Sequence, residues 1–259
     1  HLIDLLARPE ATVDVLYYHY YPVWVGDYFR PSDVNRNLRS LKNFAYLLDA
    51  QYAGQFARAG RARVPSIVSE WNPDWTIHPP IERFMASVLS TAEVFLTFVE
   101  LQVHAAHYWE NPDGRASGLV FDKLQTHLGD RFLGSSIGNR LDDGSYVGFG
   151  NHPSFASNIR VYATQRSSDS KVFIWLLNLS DTTSHTVVCE YPFPVREART
   201  HILRNPRQAT TYYTSITDLE WISETTPANQ PSTVLPPSTL AILELVYDAV
   251  PVAPRPPII

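Results

Sequence analysis

The chain has 259 residues, of which 44% are apolar and 18% charged, and it carries a formal net charge of −5. These values are typical of a globular protein and exclude an intrinsically disordered one. The net charge and the absence of a basic run give no reason to expect nucleic acid as a partner, and no apolar stretch is long enough to predict a membrane span. A single cysteine, Cys189, excludes an internal disulfide.

The first ~130 residues alternate between apolar strands and amphipathic helices, which is the pattern of βα units around a parallel sheet. Strands are predicted over residues 13–21, 64–71 and 103–109. A helix opens at Pro31 and ends at Gly60, a second opens at Pro79, and a third covers residues 121–128. Three such units cannot close an eight-stranded barrel, which typically needs ~250 residues.

From about residue 145 the pattern changes to short alternating runs separated by turn residues. Strands are predicted over residues 158–163, 171–177, 186–191, 210–213 and 239–246. This spacing is typical of an antiparallel β-sandwich. We therefore predict βα units over residues 1–140, a β-sandwich over 141–250 and a proline-rich extended tail over 251–259.

Polar and aromatic side chains follow each of the three predicted parallel strands at its carboxyl end. They are Tyr17, His19 and Tyr21 on the first strand, Glu70, Trp71 and Asn72 on the second, and His107, Trp109 and Glu110 on the third. Residues of this kind at the carboxyl ends of barrel strands usually face an active site. A carboxylate, polar groups and an indole face together suit sugar chemistry.

Four segments resemble the clan A glycoside hydrolases in order and spacing. The stretch 67–72, which ends in Ser69-Glu70-Trp71-Asn72, resembles the seventh-strand motif that presents the nucleophile. The stretch 19–21 resembles the sixth-strand His-x-Tyr, and Trp109 lies where the eighth strand commonly supplies a tryptophan. Residues 235–244 resemble the closing strand of the β-sandwich in families 39, 51, 30 and 44.

The resemblance implies the C-terminal part of a (β/α)₈ TIM barrel, followed by an antiparallel β-sandwich, in a retaining O-glycosidase that acts on a poly- or oligosaccharide. Glu70 would be the nucleophile, and Tyr21 would donate a hydrogen bond to it. The substrate-binding set would be His19, Tyr21, Trp71, Asn72 and Trp109. No cofactor and no metal are expected.

The family also needs an acid/base Glu, usually in an Asn-Glu pair, and this sequence contains no such pair. We therefore expect the second carboxylate on an N-terminal partner, supplied as a separate chain or a processed form, in a heterodimer. The resemblance also leads us to expect an extracellular rather than a cytoplasmic protein.

Several alternatives stay open at this stage. The chain could be a non-catalytic carbohydrate-binding or pseudoenzyme subunit, or a serine esterase that uses Ser136 in the Gly-x-Ser-x-Gly segment 134–138. Glu110 is a rival carboxylate. The pair His104 and His107 is a weak metal motif, because the two residues face opposite sides of a strand. Glu93 and Glu100, on the second long helix, are expected at a solvated edge.

Overall fold

The computed structural model describes ten stretches of the chain: residues 2–8, 10–21, 34–72, 83–109, 113–135, 138–140, 146–148, 158–191, 193–229 and 231–248. The chain divides into two compact units. The first contains His1–His78 and Ser90–Asn111, and the second contains Pro79–Leu89 and Pro112–Ile259. The predicted proline-rich tail over 251–259 lies outside the described residues.

The first unit is built on a parallel sheet of three strands in the order β1-β2-β3. Its elements in chain order are α1 (Leu2–Leu6), β1 (Leu16–Tyr20), α2 (Val34–Arg58), β2 (Ser66–Trp71), α3 (Met85–Glu100), which spans both units, and β3 (Ala105–Tyr108). The predicted alternation of strands and helices is therefore confirmed. The predicted helix openings at Pro31 and Pro79 lie outside the described residues.

One face of this parallel sheet is covered by helices. The side chains of Tyr20, Val68 and Trp71 are buried there. Phe98 of α3 makes edge-on ring contacts with both Tyr20 and Trp71, with centroids 5.2 and 5.5 Å apart. These ring contacts pack the helix-covered face of the sheet against α3.

The prediction that Glu93 and Glu100 lie at a solvated edge is wrong. Glu93 is fully buried and Glu100 is 3% exposed. The Nζ atom of Lys42, on α2, lies 2.5 Å from Oε2 of Glu100. The helix α3 is buried on nearly every side, so its acidic residues lie inside and Glu100 is neutralised by a cation from the neighbouring helix.

The second unit is dominated by antiparallel strands. Its elements are α4 (Ala116–His127), β4 (Arg131–Leu133), β5 (Gly138–Arg140), β6 (Tyr146–Gly148), β7 (Ile159–Arg166), β8 (Lys171–Asn178), β9 (His185–Val188), β10 (Val195–Arg204), β11 (Glu220–Thr226), β12 (Ser232–Leu235) and β13 (Thr239–Tyr247). Six of them form one sheet in the order β11-β10-β13-β8-β7-β4. The strands β9 and β12 pair separately, and Leu235 packs with Leu176, Ile202 and Ala241 of the large sheet.

The sequence prediction missed the short strands β4, β5, β6 and β12 as well as the longer β10 and β11, and it placed one strand wrongly. Residues 210–213 form a turn, in which the amide of Thr214 donates to the carbonyl of Thr211. Tyr212 is buried in this turn, and its hydroxyl donates to the carbonyl of Leu179. The β-prone residues Thr210-Thr211-Tyr212-Tyr213 therefore form an anchored turn rather than a strand.

The helix α4 belongs with the antiparallel sheet rather than with the parallel one. The indole N–H of Trp175 donates to the carbonyl of His127 at 2.9 Å, and that of Trp221 donates to the carbonyl of Leu119 at 3.2 Å. The helix α4 accordingly lies in the second compact unit, which contains Pro79–Leu89 and Pro112–Ile259. None of the helices in the described stretches combines the length and the apolar character needed to cross a membrane.

Candidate active site

The three parallel strands bring polar side chains together at their carboxyl ends. The ends are marked by Tyr21 after β1, Asn72 after β2 and Trp109 after β3. The main chain continues the parallel ladder beyond the strands, since the amide of Trp109 donates to the carbonyl of Trp71 at 2.8 Å. Carboxyl ends of parallel strands are the usual place for a catalytic site in α/β proteins.

A β-bulge in β2 decides which way Glu70 points. Tyr18 pairs with Val68 and His19 pairs with Glu70, so Ser69 is an extra residue in β2. The pairing of β2 with β3 shifts over the same segment. Bulges of this kind re-aim side chains and are over-represented next to active sites.

The bulge decides which of the two adjacent residues, Glu70 or Trp71, lies on which face of the sheet. Glu70 lies on the face opposite to the buried Trp71, called here the open face, together with Tyr17, His19 and His107. Tyr17 is 63% exposed there, and the side chain of His19 is 56% exposed. The sequence prediction named the strand ends but missed this register shift.

Two side chains from the end of β1 contact one oxygen of Glu70. The hydroxyl of Tyr21 donates to Oε2 at 3.1 Å. The Nδ1 atom of His19 lies 3.3 Å from the same oxygen, a contact that is a hydrogen bond when Nδ1 carries a proton. Within the described part of the chain, Oε1 of Glu70 has no hydrogen-bond partner, so one oxygen is held and the other is available.

The phenol of Tyr21 is kept protonated by its surroundings. Partial burial raises the pKa of Tyr21 to about 12, and the hydrogen bond to Glu70 and the negative charge of that carboxylate add to this effect. A phenol with such a pKa remains a hydrogen-bond donor throughout the neutral and moderately alkaline range.

Asn72 links the strand ends instead of facing the open side. Its Nδ2 donates to the carbonyl of Trp109 at 3.5 Å, and its Oδ1 accepts from the hydroxyl of Tyr108 at 3.3 Å. The side chain is buried. The indole of Trp109, in contrast, is 46% exposed, as a stacking surface for a sugar ring requires.

The structure does not support Trp71 as a substrate-binding residue. Its side chain is fully buried on the helix-covered face, where it contacts Phe95, Phe98 and Tyr108. The bulge that turns Glu70 towards the open face also turns Trp71 away from it. The role of Trp71 is therefore to pack the sheet against α3.

The two rival motifs fall partly outside the described residues. Glu110 and Ser136 both lie outside the residues that the structure describes. A nucleophile elbow needs a helix after its serine, but the strand β5 begins at Gly138, the last residue of the Gly-x-Ser-x-Gly match. A strand that begins two residues after Ser136 does not suit a nucleophile elbow.

No protein-family model and no curated protein matches the chain, whereas solved structures do. The bifunctional glucanase-xylanase CelM2 from a metagenome library matches at 16% identity and a TM-score of 0.64, over 92% of this chain and 44% of CelM2. The GH51 arabinofuranosidase from Xanthomonas axonopodis pv. citri matches at 17% identity and a TM-score of 0.66, over 94% of this chain and 55% of that one. A family 44 endoglucanase from Clostridium acetobutylium ATCC 824 matches at 14% identity and a TM-score of 0.62, over 90% of this chain and 47% of the endoglucanase.

The chain has the fold of the C-terminal part of these glycoside hydrolases. It spans about half the length of the solved structures that it matches. At these sequence identities the similarity extends to the fold alone and not to the chemistry of the site.

The described contacts of Glu70 orient its carboxylate. Both are made to Oε2, one by the hydroxyl of Tyr21 and one by the imidazole of His19. None of the described contacts of Glu70 is with a second carboxylate.

Proposed function

We propose that this chain provides the nucleophile half of a retaining glycoside hydrolase. The parallel unit would be strands six to eight of a (β/α)₈ barrel, and the antiparallel unit would be the β-sandwich that follows it. The observation that carries the proposal is the clamped carboxylate. Glu70 stands at the carboxyl end of the middle strand, with Oε2 held by Tyr21 and His19.

In the proposed reaction, Oε1 of Glu70 attacks the anomeric carbon of the sugar as the glycosidic C–O bond breaks. The leaving oxygen takes a proton from a second carboxylic acid, and a covalent glycosyl-enzyme forms. Water then attacks the anomeric carbon and releases Glu70, after giving its proton to the second carboxylate. Tyr21 and His19 orient the nucleophile, His19 and Trp109 line the sugar site, and Asn72 holds the strand ends together.

We propose that the second carboxylate comes from a part of the enzyme outside this sequence, because the sequence contains no Asn-Glu pair. Retaining enzymes need the two carboxyl groups about 5–5.5 Å apart. The outer edges of β1 and β3 have no strand partner among the described residues. Next to β1, α2 carries the exposed apolar side chains Phe44 and Leu47, which are 46% and 61% exposed. Free edges and apolar patches favour association, so we propose an N-terminal partner that completes the barrel.

The nucleophile is tested with Glu70→Gln in the assembled enzyme. The matched solved structures are described as arabinofuranosidases, an endoglucanase and a glucanase-xylanase. The substrate panel is therefore aryl arabinofuranosides, cellobiosides and xylosides. Turnover should fall by at least ~10³-fold while oligosaccharide binding, measured by calorimetry, is retained. Glu10→Gln changes an exposed carboxylate and serves as the control.

A covalent trap sharpens this test. A 2-deoxy-2-fluoro glycoside of the best substrate should leave a sugar adduct on the peptide that contains Glu70, detected by mass spectrometry. An adduct on another residue, or unchanged turnover in Glu70→Gln, contradicts the proposed role. The partner is tested separately by sedimentation of the purified chain. A well-folded monomer at micromolar concentration contradicts the heterodimer.

The alternative is a non-catalytic carbohydrate-binding subunit. It is favoured by the lack of a second carboxylate among the described contacts of Glu70. Under this alternative the assembled protein binds oligosaccharides with Trp109 and forms no adduct with the fluoro glycoside. The trap therefore separates the two functions without relying on a mutation.

A further inference from the structure

Three side chains that are far apart in the sequence converge in the second unit, on the side of the large sheet that faces α4. They are His127, the last residue of α4, His201 on β10 and Glu244 on β13. Nε2 of His201 lies 3.1 Å from Oε2 of Glu244, and Nε2 of His127 lies 3.6 Å from the same oxygen. Their side chains are 9–12% exposed.

The remaining ring nitrogens are already engaged. Nδ1 of His201 lies 2.7 Å from Oγ of Ser223, and Nδ1 of His127 lies 2.7 Å from Oγ1 of Thr126. Metal-binding histidines usually carry such an outer hydrogen bond, which fixes the ring and leaves the other nitrogen as the ligand. Both rings are therefore oriented with Nε2 towards Glu244.

The two oxygens of Glu244 have different neighbours. Oε1 lies 2.9 Å from Nζ of Lys171, whereas Oε2 faces the imidazoles. A neutral imidazole and an ionised carboxylate are the forms in which these groups bind metals.

The spacing of the three ligand atoms fits a small tetrahedral ion. Ligand atoms bonded at ~2.0–2.1 Å to a tetrahedral centre are separated by roughly 3.4 Å. The measured separations of 3.1 and 3.6 Å lie on either side of that value, and the three atoms are all within 4.8 Å of one another. Two imidazoles and one carboxylate form a common zinc ligand set, with a fourth position left for water.

An ion could reach the cluster from solvent. A cleft of about 230 Å³, with Lys171, Arg199 and Glu244 among its lining residues, opens beside it. The carboxylate of Glu244 thus belongs both to the cleft wall and to the cluster, and the cleft also carries the carboxylates of Asp169 and Glu197 beside the cations Lys171, Arg196 and Arg199.

We propose that His127, His201 and Glu244 form a binding site for a divalent transition-metal ion, with zinc as the preferred occupant. The ion would join the end of α4 to two strands of the large sheet, so its role is to fix α4 in place. The proposal is independent of the chemistry at Glu70, because the three ligands and their neighbours all belong to the second unit.

The test begins with the unmodified protein, together with any companion chain that co-purifies. After treatment with a chelator and its removal, the protein is titrated with Zn²⁺ by calorimetry and with Co²⁺ by absorption spectroscopy. We expect one equivalent of Zn²⁺ bound at micromolar or tighter affinity, a four-coordinate Co²⁺ spectrum and a rise in Tm of several degrees with zinc. No stoichiometric binding overturns the proposal, and this result needs no variant that has to fold.

Substitutions of the three proposed ligands test where the zinc ion binds. His127→Gln, His201→Gln and Glu244→Gln should each weaken Zn²⁺ binding by at least ~10-fold. His104→Gln changes an exposed histidine of the first unit and should bind zinc as the unmodified protein does. Circular dichroism verifies that each variant is folded. Equal affinity in the three cluster variants and the control places the metal elsewhere and overturns the assignment.

Discussion

Replacing Glu100 with Gln tests how the scaffold behind the site is stabilised. The side chains of Lys42 and Glu100 are each only 4% exposed, and their charged atoms lie 2.5 Å apart. At an effective dielectric constant of ~20, this attraction is about 6–7 kcal/mol, and the burial of both charges offsets much of it. The substitution removes the attraction but leaves Lys42 buried. We therefore expect the free energy of unfolding to fall by about 3–5 kcal/mol.

The assay is thermal unfolding followed by circular dichroism. For a chain of this size, a loss of ~1 kcal/mol lowers Tm by roughly 2–4 °C, so Glu100→Gln should lower Tm by about 6–20 °C. The matched control is Glu224→Gln, which breaks an exposed pair with Arg204 at 3.3 Å. Glu224 is 57% exposed, and the control should cost at most ~1 kcal/mol.

The comparison of the two variants decides the outcome. Lys42→Met should also cost several kcal/mol, because it leaves the buried carboxylate of Glu100 without this cation. If Glu100→Gln and Glu224→Gln lower Tm equally, burial does not determine how much the Lys42–Glu100 pair contributes to the free energy of unfolding, and the prediction is refuted.

Two further predictions concern the strand ends. Tyr21→Phe should lower kcat/KM of the assembled enzyme about tenfold, because a hydrogen bond to a charged group contributes at least ~1.5 kcal/mol. An unchanged kcat/KM would mean that catalysis does not depend on the hydrogen bond from Tyr21 to Glu70. Because the pKa of Tyr21 is raised from 10.0 to about 12, its phenol is still largely protonated at pH 11, and subtracting the Tyr21→Phe titration should reveal at most about a tenth of Tyr21 as tyrosinate at pH 10–11. Trp109→Ala should raise KM about tenfold with little change in Tm, because this indole is exposed. Trp71→Ala should instead lower the free energy of unfolding by ~3–5 kcal/mol, because this indole is fully buried. The reverse pattern would contradict the assignment of Trp109 to the substrate site and of Trp71 to the helix-covered face.

The parallel unit was the more predictable of the two because its signals are local. Each strand is a run of β-branched and aromatic residues, and each helix repeats apolar residues at a period near four, so their order could be predicted without tertiary information. The antiparallel unit was harder. The strand β10 carries Arg196, Glu197 and Arg199 along its exposed part, and its buried part, residues 200–203, is continuous and does not alternate, so the period of two is lost.

Contacts between distant segments had no local signal. The burial of Glu100 depends on Lys42, which belongs to another helix. The convergence of His127, His201 and Glu244 depends on the order of strands in the large sheet and on where α4 ends. Neither could be inferred from spacing along the chain, because the groups lie on separate elements.

The open-face arrangement rests on a single extra residue in β2. A strictly alternating strand that buried Ser66 and Val68 would also bury Glu70 and would expose Trp71. The observed burial is the reverse: Trp71 is fully buried, whereas the side chain of Glu70 is 31% exposed. Ser69 creates this shift, and its hydroxyl donates to the carbonyl of Tyr18 across the bulge at 3.3 Å. Adjacent residues face opposite sides in any strand, so a carboxylate can lie on one face while its large apolar neighbour packs on the other; the bulge decides that Glu70, and not Trp71, lies on the open face.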